Sequence, residues 1–121
     1  MIRALWVGVA GAAGAMSRYG IGLLVGPQAF PWATLGINLS GSFLFAFVVT
    51  WALQGHLSRD AATAVAAGFL GAYTTYSAFS FELFDLGRTG RGAVAVTYAA
   101  VSLAGGLVAA WAGYRLGQAL A

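Results

Sequence analysis

Charge is so sparse along this chain that its spacing dictates what can fold. Nine charged residues punctuate 121, and between them run uncharged stretches of 14 residues (Ala4 to Ser17), 40 (Tyr19 to Ser58), 21 (Ala61 to Phe81) and 23 (Gly92 to Tyr114). A helix needs about 20 predominantly apolar residues to cross a hydrocarbon core. Charged residues make up 7% of the chain, against about a quarter in soluble domains, so these stretches read as membrane spans. The 40-residue stretch carries Pro27 and Pro31, which mark a turn, with Pro31 suited to the first turn of the following helix. The expected architecture is an all-α membrane protein, a single domain over 1–121, with four spans near 4–26, 31–54, 61–86 and 92–115. Trp6, Trp32, Trp51 and Trp111 each fall near a proposed span end, the depth that amphipathic rings prefer.

The third span holds Gly68-Phe69-Leu70-Gly71-Ala72-Tyr73-Thr74-Thr75-Tyr76-Ser77-Ala78-Phe79-Ser80, a run of glycine, hydroxyl and aromatic residues that predicts a helix break around Gly71 to Thr75. Inside a bilayer, non-helical backbone survives only where protein, water or an ion satisfies its polar groups. A break at this depth therefore marks a functional site. In the second span Asn38, Gly41, Ser42 and Phe45 follow i, i+3, i+4, i+7 spacing and share one face. An amide on such a face is either interhelical glue or a pore ligand. Tyr98 and Ser102 stand at i and i+4 in the fourth span, with Gly105 and Gly106 a turn beyond.

Several function classes are excluded or disfavoured. Without cysteine there is no disulfide framework and no thiolate metal site. His56 is a lone histidine in a loop, and no nucleophile and base stand in catalytic relation, so the chain is not expected to be an enzyme. The net charge of +3 comes from arginines dispersed along apolar segments, unlike the clustered basic face of a nucleic-acid binder. A cleavable leader is a competing reading of the apolar run from Arg3 to Gly14-Ala15-Met16, but the hydrophobic pattern resumes after Arg18. Gly22 with Gly26, Gly113 with Gly117, and Gly11 with Ala15 have the spacing of helix-contact positions.

Four spans put Arg3, Arg59 and Arg115 on one side and Arg88 and Arg91 on the other, a count of three against two, or three against three if Arg18 lies near its helix end. Orientation follows the arginine and lysine bias, and this bias is nearly balanced. Four helices are also few to enclose a conduit. An antiparallel, dual-topology homodimer answers both observations, with an in-plane two-fold axis like those relating inverted repeats in transporters.

Gly14-Ala15-Met16-Ser17-Arg18-Tyr19, Gly36-Ile37-Asn38-Leu39-Ser40-Gly41-Ser42-Phe43, and Gly68-Phe69-Leu70-Gly71 followed by Thr74-Thr75-Tyr76-Ser77-Ala78-Phe79-Ser80 resemble the Fluc (CrcB) fluoride-channel family. The resemblance covers nearly the whole chain. It implies two pores per antiparallel dimer in the cell (inner) membrane, passive fluoride export, resistance to fluoride toxicity, and a structural sodium ion at the dimer centre. Carried over by position, it implies sodium ligation by the main-chain carbonyls of Gly71 and Thr74, and a fluoride path along Asn38, Ser42, Thr75, Tyr76, Phe79, Ser80, Tyr98 and Ser102. Arg18 and Glu82 match positions of vestibule or electrostatic role. Tyr76 stands where the family commonly has phenylalanine, Ala78 where it has threonine, and a further polar-track position falls on Gly106.

The main alternative is a small dual-topology, proton-coupled antiporter of cationic compounds. That class wants a carboxylate in the first span, where this chain has Arg18 and no acid. A third possibility is an assembly subunit with no transport of its own. The balanced charge gives the first prediction: reporter fusions at the C-terminus read on both faces of the membrane, and moving one arginine across biases them to one face. A single orientation at every expression level would remove the argument for dual topology.

Overall fold

The computed structural model describes residues 1–120, and among them every regular element is helical. Helix α1 spans Ile2–Val25, α2 Trp32–Leu53, α3 Arg59–Thr63, α4 Gly71–Tyr73, α5 Tyr76–Arg88 and α6 Gly92–Ala119. Between α3 and α4 the seven residues Ala64–Leu70 form a π-helix, so α3, the π stretch and α4 make one rod that ends at Tyr73. These helices occupy the regions expected from charge spacing, although α6 continues four residues past the expected end at 115. The break is narrower than expected, because Gly71–Tyr73 remain helical and only Thr74 and Thr75 leave the helix.

Local chemistry explains the ends. Gly26 terminates α1 with φ +66 and its N–H on the Gly22 carbonyl, a left-handed conformation that glycine adopts without a Cβ penalty. Pro31 precedes α2 and cannot extend a helix backward through itself. Ser58 caps α3, accepting the Ala61 N–H at 3.2 Å. An Arg3–Asp60 ion pair, Nε to Oδ1 2.6 Å, ties the start of α1 to α3.

Packing rests on small residues more than on a core. The most extensive helix pair is α2 with α6, followed by α1 with the π stretch. At Gly113 a Cβ would stand 2.0 Å from the Phe43 carbonyl oxygen, and at Gly117 2.9 Å from Thr50 Cβ, so α6 lies directly on the α2 backbone. Gly14 and Gly68 do the same for α1 and the π stretch, where added Cβ atoms would meet the Phe69 and Val7 carbonyl oxygens at 2.1 and 2.7 Å. Gly22 and Gly26, which carry the same spacing signal, would place a Cβ within 4 Å of nothing among the described residues. Two small clusters, Leu35 with Leu86 and Tyr98, and Ile37 with Leu70 and Tyr73, supply the buried apolar side chains.

Most large apolar side chains point outward. Leu103, Leu107, Val108 and Trp111 are each at least 60% exposed along α6, and only 6% of the helix's most apolar window is buried. Helices α2 and α6 are both long and apolar enough to cross a membrane. The core helix of a soluble protein also passes that test, but it would be mostly buried. An outward face this apolar calls for lipid or a second protein surface.

The close approaches predict a steep cost for one methyl group. Gly113→Ala should lower the stability of the purified protein by about 1 to 3 kcal/mol, read as a fall in Tm, because its Cβ meets backbone that cannot rotate away. Gly87→Ala, where nothing lies within 4 Å, should be neutral or slightly stabilising. Equal effects at the two positions would show that the α2–α6 contact is looser than described.

Candidate functional site

The site is organised by the backbone at Thr74 and Thr75, which adopt φ −77, ψ 156 and φ −147, ψ 115 between α4 and α5. Asn38 on α2 replaces the lost helix bonds at this point. Its Oδ1 accepts the Thr75 N–H at 2.9 Å, and its Nδ2 donates to the Thr75 carbonyl at 3.1 Å. The amide side chain thus pairs with Thr75 as a neighbouring strand would. Leaving both groups buried and unpaired would cost about 1 to 3 kcal/mol each. Gly41, one turn further along α2, lets the break come close: a Cβ there would lie 2.2 Å from Thr74 Cγ2. Ser40 and Tyr73 hydroxyls meet at 2.9 Å, and Arg18 on α1 donates from Nε to the Ala72 carbonyl at 3.1 Å.

Two carbonyls at the break have lost their helical donors. The Thr75 N–H, which a continuing helix would give to Gly71, goes to Asn38. The Ala78 N–H, which would go to Thr74, instead caps α5 on Thr75 Oγ1 at 3.2 Å. Gly71 is exposed and Thr74 half-buried. Hard oxygen donors released in this way fit a small hard cation. The Ala72 and Thr75 carbonyls, by contrast, are engaged by Arg18 and Asn38.

An open groove of about 700 Å³ runs between α2, α5 and α6. Asn38, Ser42, Thr75, Tyr76, Phe79 and Ser102 line it, six of the eight residues expected along the path. Tyr76 is 81% exposed and its ring centroid lies 6.2 Å from that of Phe79. The Ser42 hydroxyl is used within its own helix, donating to the Asn38 carbonyl at 2.8 Å. Ser102 Oγ is buried and has no hydrogen-bond partner among the described residues.

Tyr98 and Ser80 fall outside the groove lining. Tyr98 is completely buried and donates its hydroxyl to Glu82 Oε2 at 2.7 Å, while Thr34 donates to Glu82 Oε1 at 2.7 Å. Its ring meets that of Phe79 almost perpendicularly, centroids 5.1 Å apart and planes at 69°. Tyr98 therefore stands behind the groove wall, not in it. The reason is geometric: i and i+4 positions differ by about 40° around a helix, enough to turn Tyr98 toward α5 while Ser102 faces the groove. Ser80 is half-buried on α5.

Glu82 lines a separate pocket of about 280 Å³ with Phe30, Thr34, Asp85 and Arg91, among others. Arg18 lines a third cavity, about 420 Å³, bounded also by Tyr19, Thr34, Ile37, Thr75 and Ala78. Thr75 borders both this cavity and the groove, so the break forms part of the partition between them. Thr34 was not expected at the site. It sits one turn before Asn38 on the same polar face, and that i−4 spacing was the signal for it.

Comparison with known proteins identifies the family. The family described as "CrcB-like protein, Camphor Resistance (CrcB)" matches residues 5–114. A protein of Geobacillus kaustophilus named "Fluoride-specific ion channel FluC 2" is 47% identical over 118 residues, covering 94% of this chain and 92% of its own. "Fluoride-specific ion channel FluC" of Thermus thermophilus is 44% identical over 123 residues, covering 99% and 98%. "Fluoride-specific ion channel FluC 2" of Listeria innocua is 42% identical over 117 residues, covering 96% and 91%. With a family match across most of its length, and relatives this similar over nearly all of it, the chain belongs to the CrcB family.

Proposed function

We propose that this chain is a subunit of a fluoride-selective channel that lets fluoride leave the cell passively and so protects against its toxicity. The observation that carries the reading is that Asn38, Thr75, Ser102 and the Phe79 ring line one groove. The names of the relatives point to the same ion.

The chemistry suits fluoride in three respects. One N–H of Asn38 is spent on Thr75, which leaves its second N–H as a donor. The ring edges of Phe79 and Tyr76 carry partial positive charge. The N-terminus of α5 begins at Tyr76, beside the break, and adds the positive end of a helix dipole. Fluoride would exchange water stepwise for these donors, and a larger halide would meet them less closely. The proton-coupled alternative has less support, because Glu82 is held by Thr34 and Tyr98 and does not line the groove.

A groove of about 700 Å³, open on one side, is far too wide to select a single small ion. A second copy of the chain would narrow it. The exposed apolar side chains at its rim, Phe45 and Leu103, favour such a cover. We therefore infer an antiparallel homodimer with four spans per subunit, two pores, and multi-pass insertion in the cell (inner) membrane, in contact with its lipid. The carbonyls of Gly71 and Thr74 from both subunits would hold a structural sodium ion, which would neutralise backbone oxygens that lack N–H donors.

The decisive test is fluoride efflux from liposomes containing the purified protein alone, with chloride as control. Fluoride release without chloride release is expected, and no release of either would make the chain an assembly subunit. Phe79→Ile should slow fluoride at least tenfold, about 1.4 kcal/mol in barrier, with the assembly intact. Asn38→Asp should also slow it, because a carboxylate repels the anion and sets an oxygen against the Thr75 carbonyl. Wild-type flux in both variants would assign these residues to packing. Replacing sodium with a large organic cation should lower dimer stability or flux. If the exchange is shown to be complete and neither changes, the break serves something other than sodium.

A further inference from the structure

Phe30 lies in the loop between α1 and α2, outside the groove, yet it touches the wall behind it. Its ring meets Tyr98 with centroids 5.4 Å apart and planes at 75°, and Tyr98 in turn meets Phe79 at 5.1 Å and 69°. Trp32 packs on Phe30 from the start of α2, centroids 4.5 Å apart. Five rings thus form an unbroken series, Trp32, Phe30, Tyr98, Phe79 and Tyr76, running from a helix end to the groove. Only the last two line it.

Polar contacts hold the part of the series that lies behind the groove. Arg91 donates from its guanidinium to the Ala29 carbonyl, tying the loop to the start of α6. Phe30 accepts the Trp32 N–H on its carbonyl at 2.8 Å. Tyr98 is fixed at its hydroxyl by Glu82, and Glu82 by Thr34. What the hydroxyl bond leaves free is tilt of the buried Tyr98 ring, and the rings packed against it restrict that tilt.

We propose that Phe30 is a positioning residue for the Phe79 ring, acting through Tyr98, with Arg91 holding the loop that carries it. This rests on the channel reading above. An edge-on contact with an anion depends on ring orientation, since the face of the same ring carries negative charge. Phe30 also lines the 280 Å³ pocket beside Glu82, so trimming it enlarges a void next to Tyr98. Tyr98 then relaxes into that space, and Phe79 loses the surface that sets its angle. Cores respond to such voids by partial collapse.

The test combines fluoride flux in liposomes with 19F NMR of 4-fluorophenylalanine placed at position 79. Phe30→Ala should lower fluoride flux at least tenfold and shift or broaden the position-79 resonance, while the assembly elutes as wild type. Phe30→Tyr, which keeps the perpendicular ring contact, should retain flux within about twofold. Phe30→Leu keeps bulk without a ring and should resemble Phe30→Ala, so it decides the matter if Phe30→Ala fails to fold. Arg91→Met should move the same resonance in the same direction by a smaller amount. An unchanged resonance in Phe30→Leu, or equal flux in Phe30→Leu and Phe30→Tyr, overturns the proposal. If wild-type protein carries no fluoride, the channel reading falls, and the position-79 resonance still reports whether Phe30 sets that ring.

Discussion

Backbone polar groups cannot be left unpaired in an apolar interior, and two residues of this chain leave their helix there. Thr74 and Thr75 break the third helical region, and everything nearby answers the need this creates. Asn38 pairs with both backbone groups of Thr75, Arg18 takes the Ala72 carbonyl, and Thr75 turns its own hydroxyl to cap α5. Gly41 removes the side chain that would keep Thr74 away. Each is a local solution to one requirement, that an N–H or carbonyl withdrawn from water find a partner.

Those solutions leave a polarity at the break. The rod ending at Tyr73 presents carbonyl oxygens, and α5 begins with N–H groups a few residues later. Opposite partial charges therefore face the same small region from the two half-helices. A cation suits one end and an anion the other. Arg18 adds formal positive charge on the α1 side, and the Glu82 carboxylate is kept behind the groove wall by its two donors, Thr34 and Tyr98. The groove is thus lined by neutral groups, and the Glu82 carboxylate does not line it.

Charge spacing, with Pro27 and Pro31 dividing the 40-residue stretch, made the helices legible, and the glycine, hydroxyl and aromatic run located the break, because all are one-dimensional signals. The polar face of α2 was legible for the same reason, as a 3.6-residue period. What escaped needs two helices to be seen at once. Gly113 and Gly22 head identical sequence patterns, yet one lies on the Phe43 carbonyl and the other would place a Cβ within 4 Å of nothing among the described residues. Tyr98 and Ser102 share helical spacing, yet only Ser102 reaches the groove, since the long phenol finds Glu82 from a slightly different azimuth. Thr34 was missed although its period matched, because a threonine near a helix start ordinarily signals nothing beyond itself.

The π-helical stretch Ala64–Leu70 carries a further consequence. A single residue gained or lost in a helix turns everything beyond it by about 100° relative to what came before. A π turn accommodates one extra residue without shifting the flanks. Gly68 sits within it, seated on the Val7 carbonyl of α1, and the break at Thr74 and Thr75 follows six residues later, seated on Asn38 of α2. The wide turn is what lets one rod satisfy two neighbours on different sides. It works as a phase adjuster: straightened to α geometry, the rod could keep its seat on α1 or present its threonines to Asn38, but not both.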